Sequence, residues 1–324
     1  WGHIGLPVTF DIYIHAWHMP IFFFLSGYLF SFVKYADFKD LFWKKFKGLL
    51  VPYFVYGTIP YLFWNIFYSV TGNQKEIVTV KQFIKSILWD NANSSPFGAV
   101  VWFLTSLFLV ELCFYLILKI TKDRKIIIGI IIFGFSLIGY FYPMVVDFSL
   151  PWGMDASFTA IVFFGIGYMF KSLKDTKLSN FIYNPKLQYI IISFIVSIYL
   201  IFANGYVNMR KLQYGNYILF YLAAITSIIS FIWISMYICN KEMIRKTKVY
   251  NSALYIGRNT IIVLLVSNHY NRILRIWLSS LISSMTKHQM YGVEVMITIV
   301  ILLLMIPTSK VINKYLPLTL GKKC

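Results

Sequence analysis

Stretches of about 20 predominantly apolar residues, the length an α-helix needs to cross the hydrocarbon core of a bilayer, recur nine times along this chain. They fall at roughly 18–33, 48–70, 98–118, 126–146, 152–170, 188–206, 217–239, 253–271 and 293–309. Lipid offers the backbone no hydrogen-bond partners, so segments of this length must bond internally as helices. The fold class that follows is an all-α, polytopic membrane helix bundle. Its 59% hydrophobic and 13% charged residues and its mean hydropathy of +0.69 exclude a water-soluble domain of 324 residues. The opening residues Trp1-Gly2-His3-Ile4-Gly5 carry no methionine, run into Pro7 and read as the tail of a truncated helix. About ten spans are therefore expected in a single membrane domain covering 1–324, with no cleavable signal peptide in view.

A net charge of +18 would suggest nucleic acid in a soluble chain, so its distribution decides. Lysines and arginines crowd into alternate loops, around 34–47, 119–125, 171–186, 241–248 and 310–323, while the loops between hold few. Cytoplasmic loops retain positive charge. The pattern predicts a cytoplasmic C-terminus and gives the charge a topological meaning, and no nucleic-acid partner is implied, because no aromatic-basic platform accompanies it. Within the polar 71–97 connection, Val80, Phe83, Ile84, Ile87 and Leu88 recur at helical spacing and predict a short interfacial helix; 91–96 reads as a turn. Cys113, Cys239 and Cys324 form neither a disulfide framework nor a zinc motif.

Ionisable side chains at membrane depth cost about 2.5–3.5 kcal/mol each on insertion scales and need a partner or a watery cavity. The sequence offers His3, His15, His18, Glu111, Asp155, Arg258 and His269. Imidazole takes and gives protons near neutrality, so three histidines within the first 18 residues suggest proton chemistry. The plainer reading is interhelical hydrogen bonding, which polar side chains in bilayers commonly provide. Asp11, His15 and His18 share a helix face, a spacing that also suits a metal ion, but further ligands cannot be named and no metal is assigned. Glu111 reads as a structural partner. Lys44, Lys45 and Lys47 serve topology and anionic lipid, or clamp the phosphates of a cytosolic donor.

The stretch His18-Met19-Pro20-Ile21-Phe22-Phe23-Phe24-Leu25-Ser26-Gly27-Tyr28, followed by Lys44-Lys45-Phe46-Lys47-Gly48-Leu49-Leu50-Val51-Pro52-Tyr53, resembles the acyltransferase-3 family of integral membrane acyltransferases. The likeness is closest to the subgroup of fucose 4-O-acetylases and exopolysaccharide O-acyltransferases. It continues through Val101-Trp102-Phe103-Leu104, Pro151-Trp152 with Asp155, Phe163-Phe164-Gly165-Ile166-Gly167-Tyr168, Val207-Asn208-Met209-Arg210, and Tyr255-Ile256-Gly257-Arg258-Asn259-Thr260 leading to His269.

The resemblance implies a multi-pass protein of the bacterial plasma (inner) membrane. It implies transfer of an acetyl group from acetyl-CoA, a donor substrate rather than a bound cofactor, to a sugar hydroxyl on a cell-surface polysaccharide or its lipid-linked precursor. The partners implied are acyl-CoA, a glycan acceptor, the bilayer and a polysaccharide-synthesis machinery. His3 would handle the proton and His18 would assist. Lys44, Lys45 and Lys47 would hold the donor, and Trp102, Asp155, Arg210 and His269 would line the acceptor pocket. The runner-up is a transporter or flippase for a lipid-linked saccharide, against which the lack of an internal repeat counts mildly. A non-catalytic partner of a synthase would bind no donor at all.

Overall fold

The computed structural model describes residues 7–72, 77–89, 101–176, 179–279 and 285–322. His3, Lys75, Lys177, Lys323, Cys324 and the turn expected at 91–96 lie outside the described residues. In chain order the helices are α1 (Val8–His15), α2 (His18–Leu29), α3 (Phe38–Lys45), α4 (Val51–Val70), α5 (Val80–Leu88), α6 (Trp102–Thr121), α7 (Lys125–Val145), α8 (Met154–Ser172), α9 (Ser179–Tyr183), α10 (Leu187–Asn204), α11 (Tyr217–Cys239), α12 (Glu242–Arg245), α13 (Lys248–Arg258), α14 (Thr260–Trp277) and α15 (Lys287–Tyr315). Among the described residues eight helical segments are long and apolar enough to cross a membrane, or nine if the bent pair α13 and α14 is one span. No strand occurs among them beyond a single bridge between Asn208 and Gln213. The expected all-α, polytopic class is what the chain adopts.

Two spans differ from expectation in an instructive way. The one expected at 18–33 begins at Val8, because α1, in which Asp11 and His15 satisfy each other one turn apart, adds its length to that of α2 in one 22-residue segment. The one expected at 253–271 is two helices meeting at 94°. Asn259 sits at that bend, and its side chain donates to the Tyr255 carbonyl at 2.8 Å and accepts from Asn313 Nδ2 at 2.7 Å.

The chain forms two compact units. One comprises Thr9–Lys45 and Ser106–Arg245. Its centre is α8, whose two flanks are buried over most of their length. A Cβ on Gly27 of α2 would overlap the Phe164 carbonyl of α8, and one on Gly167 would overlap the Phe24 carbonyl of α2. Gly139 of α7 lies close against the Thr159 hydroxyl and N–H, and Gly165 against the Ile132 side chain of α7. Between helices in lipid there is little hydrophobic drive, and small residues that let backbones touch are what hold them.

The other unit comprises Trp1–Val8, Phe46–Thr105 and Lys246–Cys324. Pro52 has no N–H for the Gly48 carbonyl, and the helix preceding α4 widens into a π-helical turn over Phe46–Leu50. The C-terminal turn Pro317–Leu320 packs there, with Gly321 at φ +66° against the Lys47 carbonyl, where any Cβ would overlap. The amphipathic α5 forms as its periodicity predicts, started by a reciprocal Thr79–Gln82 capping box. It is held to α4 by Tyr53 Oη donating to the Ile87 carbonyl at 2.7 Å and by Tyr61 stacking on Phe83 at 3.9 Å.

Candidate active site

The first span is broken where the histidines are. Pro20 cannot donate to the Ala16 carbonyl, so α1 ends at His15 and a new helix starts at His18, with Pro20 in its first turn, where a proline is tolerated. The junction is wedged in place by Ala16, which packs on Ile201 of α10 and Ala223 of α11. Non-helical backbone at membrane depth is tolerated where protein or a cavity surrounds it.

Each imidazole has a backbone carbonyl one turn back as its partner. His15 Nδ1 lies 3.0 Å from the Asp11 carbonyl oxygen and 3.0 Å from Asp11 Oδ1, and His18 Nδ1 lies 2.9 Å from the Ile14 carbonyl oxygen. A carbonyl can only accept, so each Nδ1 carries its proton, and in the neutral ring the basic lone pair is on Nε2. The two rings meet edge to face with centroids 4.9 Å apart, and His15 also lies 5.5 Å from the Tyr206 ring. His15 is 13% exposed and Asp11 35%.

Tyr206 belongs to the connection between α10 and α11, which also carries Arg210. This loop is stitched down on several sides. Asn204 Nδ2 donates to the Tyr214 carbonyl at 3.0 Å, and the Asn216 N–H donates to Asn204 Oδ1 at 2.9 Å. Tyr140 Oη donates to the Gly215 carbonyl at 2.8 Å. Tyr214 is buried and accepts from Thr159 Oγ1 at 3.1 Å; burial pushes its phenol above the ordinary range, so it stays a neutral packing group. Arg210 sits on the short helical turn Met209–Lys211, which Asn208 caps by accepting from the Lys211 N–H at 3.1 Å. Asp155, buried in the first turn of α8, accepts from the Leu150 N–H at 3.2 Å and ties down the turn in which Trp152 and Gly153 are both left-handed.

Two of the lysines are engaged. Lys44 reaches Asp40 at 2.8 Å and is exposed, whereas Lys45 pairs at 2.7 Å with Glu111, whose side chain is only 6% exposed and whose second oxygen is buried with no partner. Both ammonium groups lie within 6 Å of the Tyr35 ring, at 5.6 and 5.9 Å. Lys47, in the π-helical turn, is exposed.

In the other unit, His269 of α14 accepts from Trp64 Nε1 at 3.4 Å. Its Nδ1 therefore bears the lone pair and its Nε2 the proton, the opposite tautomer to His15 and His18, which suits it to donating a hydrogen bond rather than taking a proton. Arg272 covers the Trp64 ring at 4.5 Å and the Tyr68 ring at 5.2 Å, and Arg275 pairs with buried Glu294. Trp102 is buried at the first position of α6. Sequence reasoning missed Trp64, Tyr68 and Glu294 because their partners are remote in the chain; Trp64 and His269 are 205 residues apart. The carboxylate on His15 was legible as an i, i+4 pair, and it was weighed as a metal site. Among the described residues no three His, Cys, Asp or Glu side chains come together as a metal site would need.

These features define a polytopic α-helical membrane protein whose first span is broken at a pair of imidazoles that each hold their proton on Nδ1. Residues 1–313 match the acyltransferase-3 family, described as an acyltransferase domain, and the chain belongs to that family of acyltransferases. No curated protein and no solved structure is significantly similar to it.

Proposed function

We propose that the protein is an O-acetyltransferase of the bacterial plasma membrane. It moves an acetyl group from acetyl-CoA to a sugar hydroxyl of a cell-surface polysaccharide or its lipid-linked precursor, and its C-terminus is cytoplasmic. The reading rests on one observation above the rest: at the break in the first span His18 has its Nδ1 proton committed to a backbone carbonyl, which leaves Nε2 as the basic atom. A hydroxyl is a poor nucleophile until a base takes its proton, and neutral imidazole is suited to that task. His3 is the proposed carrier of the proton to the departing thiolate, with His18 assisting. Lys44, Lys45 and Lys47 are proposed to meet the phosphates of the donor, Lys45 being the least available because Glu111 holds its ammonium. Arg210 and Asp155, with Trp102 and His269, are proposed to serve the acceptor.

The test is a transfer assay with full-length protein in proteoliposomes. The substrates are acetyl-CoA labelled in the acetyl group and the lipid-linked saccharide fraction of bacterial membranes. Label is expected in the saccharide, base-labile as an ester, with one free thiol released per acetyl group. Saccharide crossing the bilayer with the thioester intact would contradict the reading and favour a flippase.

A further inference from the structure

We propose that His15, oriented by Asp11, is a second base in this transfer and takes the proton of the acceptor hydroxyl. The inference deepens the functional reading above and rests on it. Histidine needs two things to act as a base on an alcohol: a lone pair on the nitrogen that faces the substrate, and a partner for the charge it acquires. His15 has both. Its Nδ1 is fixed by the Asp11 carbonyl and carboxylate at 3.0 Å each, which places the lone pair on Nε2. When Nε2 takes a proton, the carboxylate one turn back stabilises the imidazolium, the role an acidic residue plays beside a catalytic histidine in hydrolase triads.

Position supplies the second argument. Among the described residues, titratable groups against the His15 ring include Asp11 and His18 from the span itself and Tyr206 from the loop between α10 and α11. That loop carries Arg210, proposed above for the acceptor, and its backbone is held by hydrogen bonds from Tyr140 and Asn204. His15 thus lies against a loop of fixed backbone that also carries Arg210.

The step balances. The O–H bond of the alcohol breaks as Nε2–H forms on His15, and the alcohol oxygen bonds to the thioester carbonyl carbon. The C–S bond then breaks, the proton passes on from His15 to the departing thiolate, and the ring is neutral again.

The experiment uses the full-length protein in nanodiscs, with acetyl-CoA and the lipid-linked saccharide fraction as substrates, and compares wild type with His15→Gln, Asp11→Asn and Asp11→Glu. His15→Gln is expected to lower kcat by about 100-fold or more, the contribution of a positioned base, with KM for acetyl-CoA unchanged. Asp11→Asn, which is isosteric, is expected to lower kcat by about 10- to 100-fold, and Asp11→Glu to recover part of the loss. Nitrogen NMR of histidine-labelled protein, with the His15 resonances assigned by their loss in His15→Gln, is expected to show Nδ1–H in wild type and a mixture of tautomers in Asp11→Asn. Wild-type kcat in His15→Gln, or an unchanged tautomer in Asp11→Asn, would overturn the proposal while leaving the transferase reading standing. A wild-type protein that transfers nothing would remove both.

Discussion

Replacing Gly27 by leucine is expected to yield no correctly folded protein. Gly27 and Gly167 form a reciprocal crossing in which the missing Cβ of each is occupied by the carbonyl of Phe164 or Phe24 on the other helix. The obstructing atoms are backbone, so no rotamer change relieves the overlap; α2 or α8 has to move bodily. α8 is also tied to α7, where a Cβ on Gly139 would overlap Thr159 and one on Gly165 would overlap the Ile132 side chain. Even Gly27→Ala is expected to cost about 3 kcal/mol, the upper end for overpacking a filled core. Thermal unfolding of the detergent-solubilised protein followed by size exclusion checks both. Gly129, where an added Cβ meets nothing within 4 Å, is the matched control: Gly129→Ala in α7 is expected to melt with the wild type. A Gly27→Leu protein as stable and monodisperse as Gly129→Ala would refute the crossing.

Lys45→Ala is expected to destabilise the protein by about 3–5 kcal/mol, because it strands Glu111 as an uncompensated buried charge. Lys44→Ala, which removes a pair whose ammonium side chain is 57% exposed, is expected to change stability by less than about 1 kcal/mol. Removing both partners together, as Lys45→Met with Glu111→Leu, leaves no stranded charge and is expected to recover most of the loss. The comparison matters for function, since a loss of donor affinity in Lys45→Ala has two causes that only the double variant separates. Acetyl-CoA affinity that falls in Lys44→Ala and Lys47→Ala at unchanged stability would locate the phosphates there. Equal stability of Lys44→Ala and Lys45→Ala would show that the buried pair contributes nothing.

Much of the fold is legible because lipid reduces the choices: a 20-residue apolar run such as 217–239 can only be a helix, and Tyr217–Cys239 is one. The amphipathic α5 was equally legible from period alone. Hydropathy is blind to direction, so the 94° bend at Asn259 was not, and the bond that pins it comes from Asn313, 54 residues on. The site divides in the same way. Asp11, His15 and His18 announce a shared face by their spacing, but which nitrogen holds the proton depends on the backbone carbonyl that each ring reaches one turn back. Lys45 looked like its neighbours Lys44 and Lys47 in sequence. Only packing gives it Glu111 as a partner, 66 residues away. The glycines of 163–168 are visible as a pattern; their uses differ, Gly167 meeting the Phe24 backbone of α2 and Gly165 the Ile132 side chain of α7.

The most direct test of the account is acetyl transfer by His3→Ala and His18→Ala in the full-length protein, normalised to the amount of folded protein in the membrane. Each variant is predicted to insert and fold as the wild type does and to transfer label from acetyl-CoA at least about 100-fold more slowly, the contribution expected of a positioned acid–base group. Undiminished transfer by both variants would contradict the claim that His3 and His18 carry the reaction.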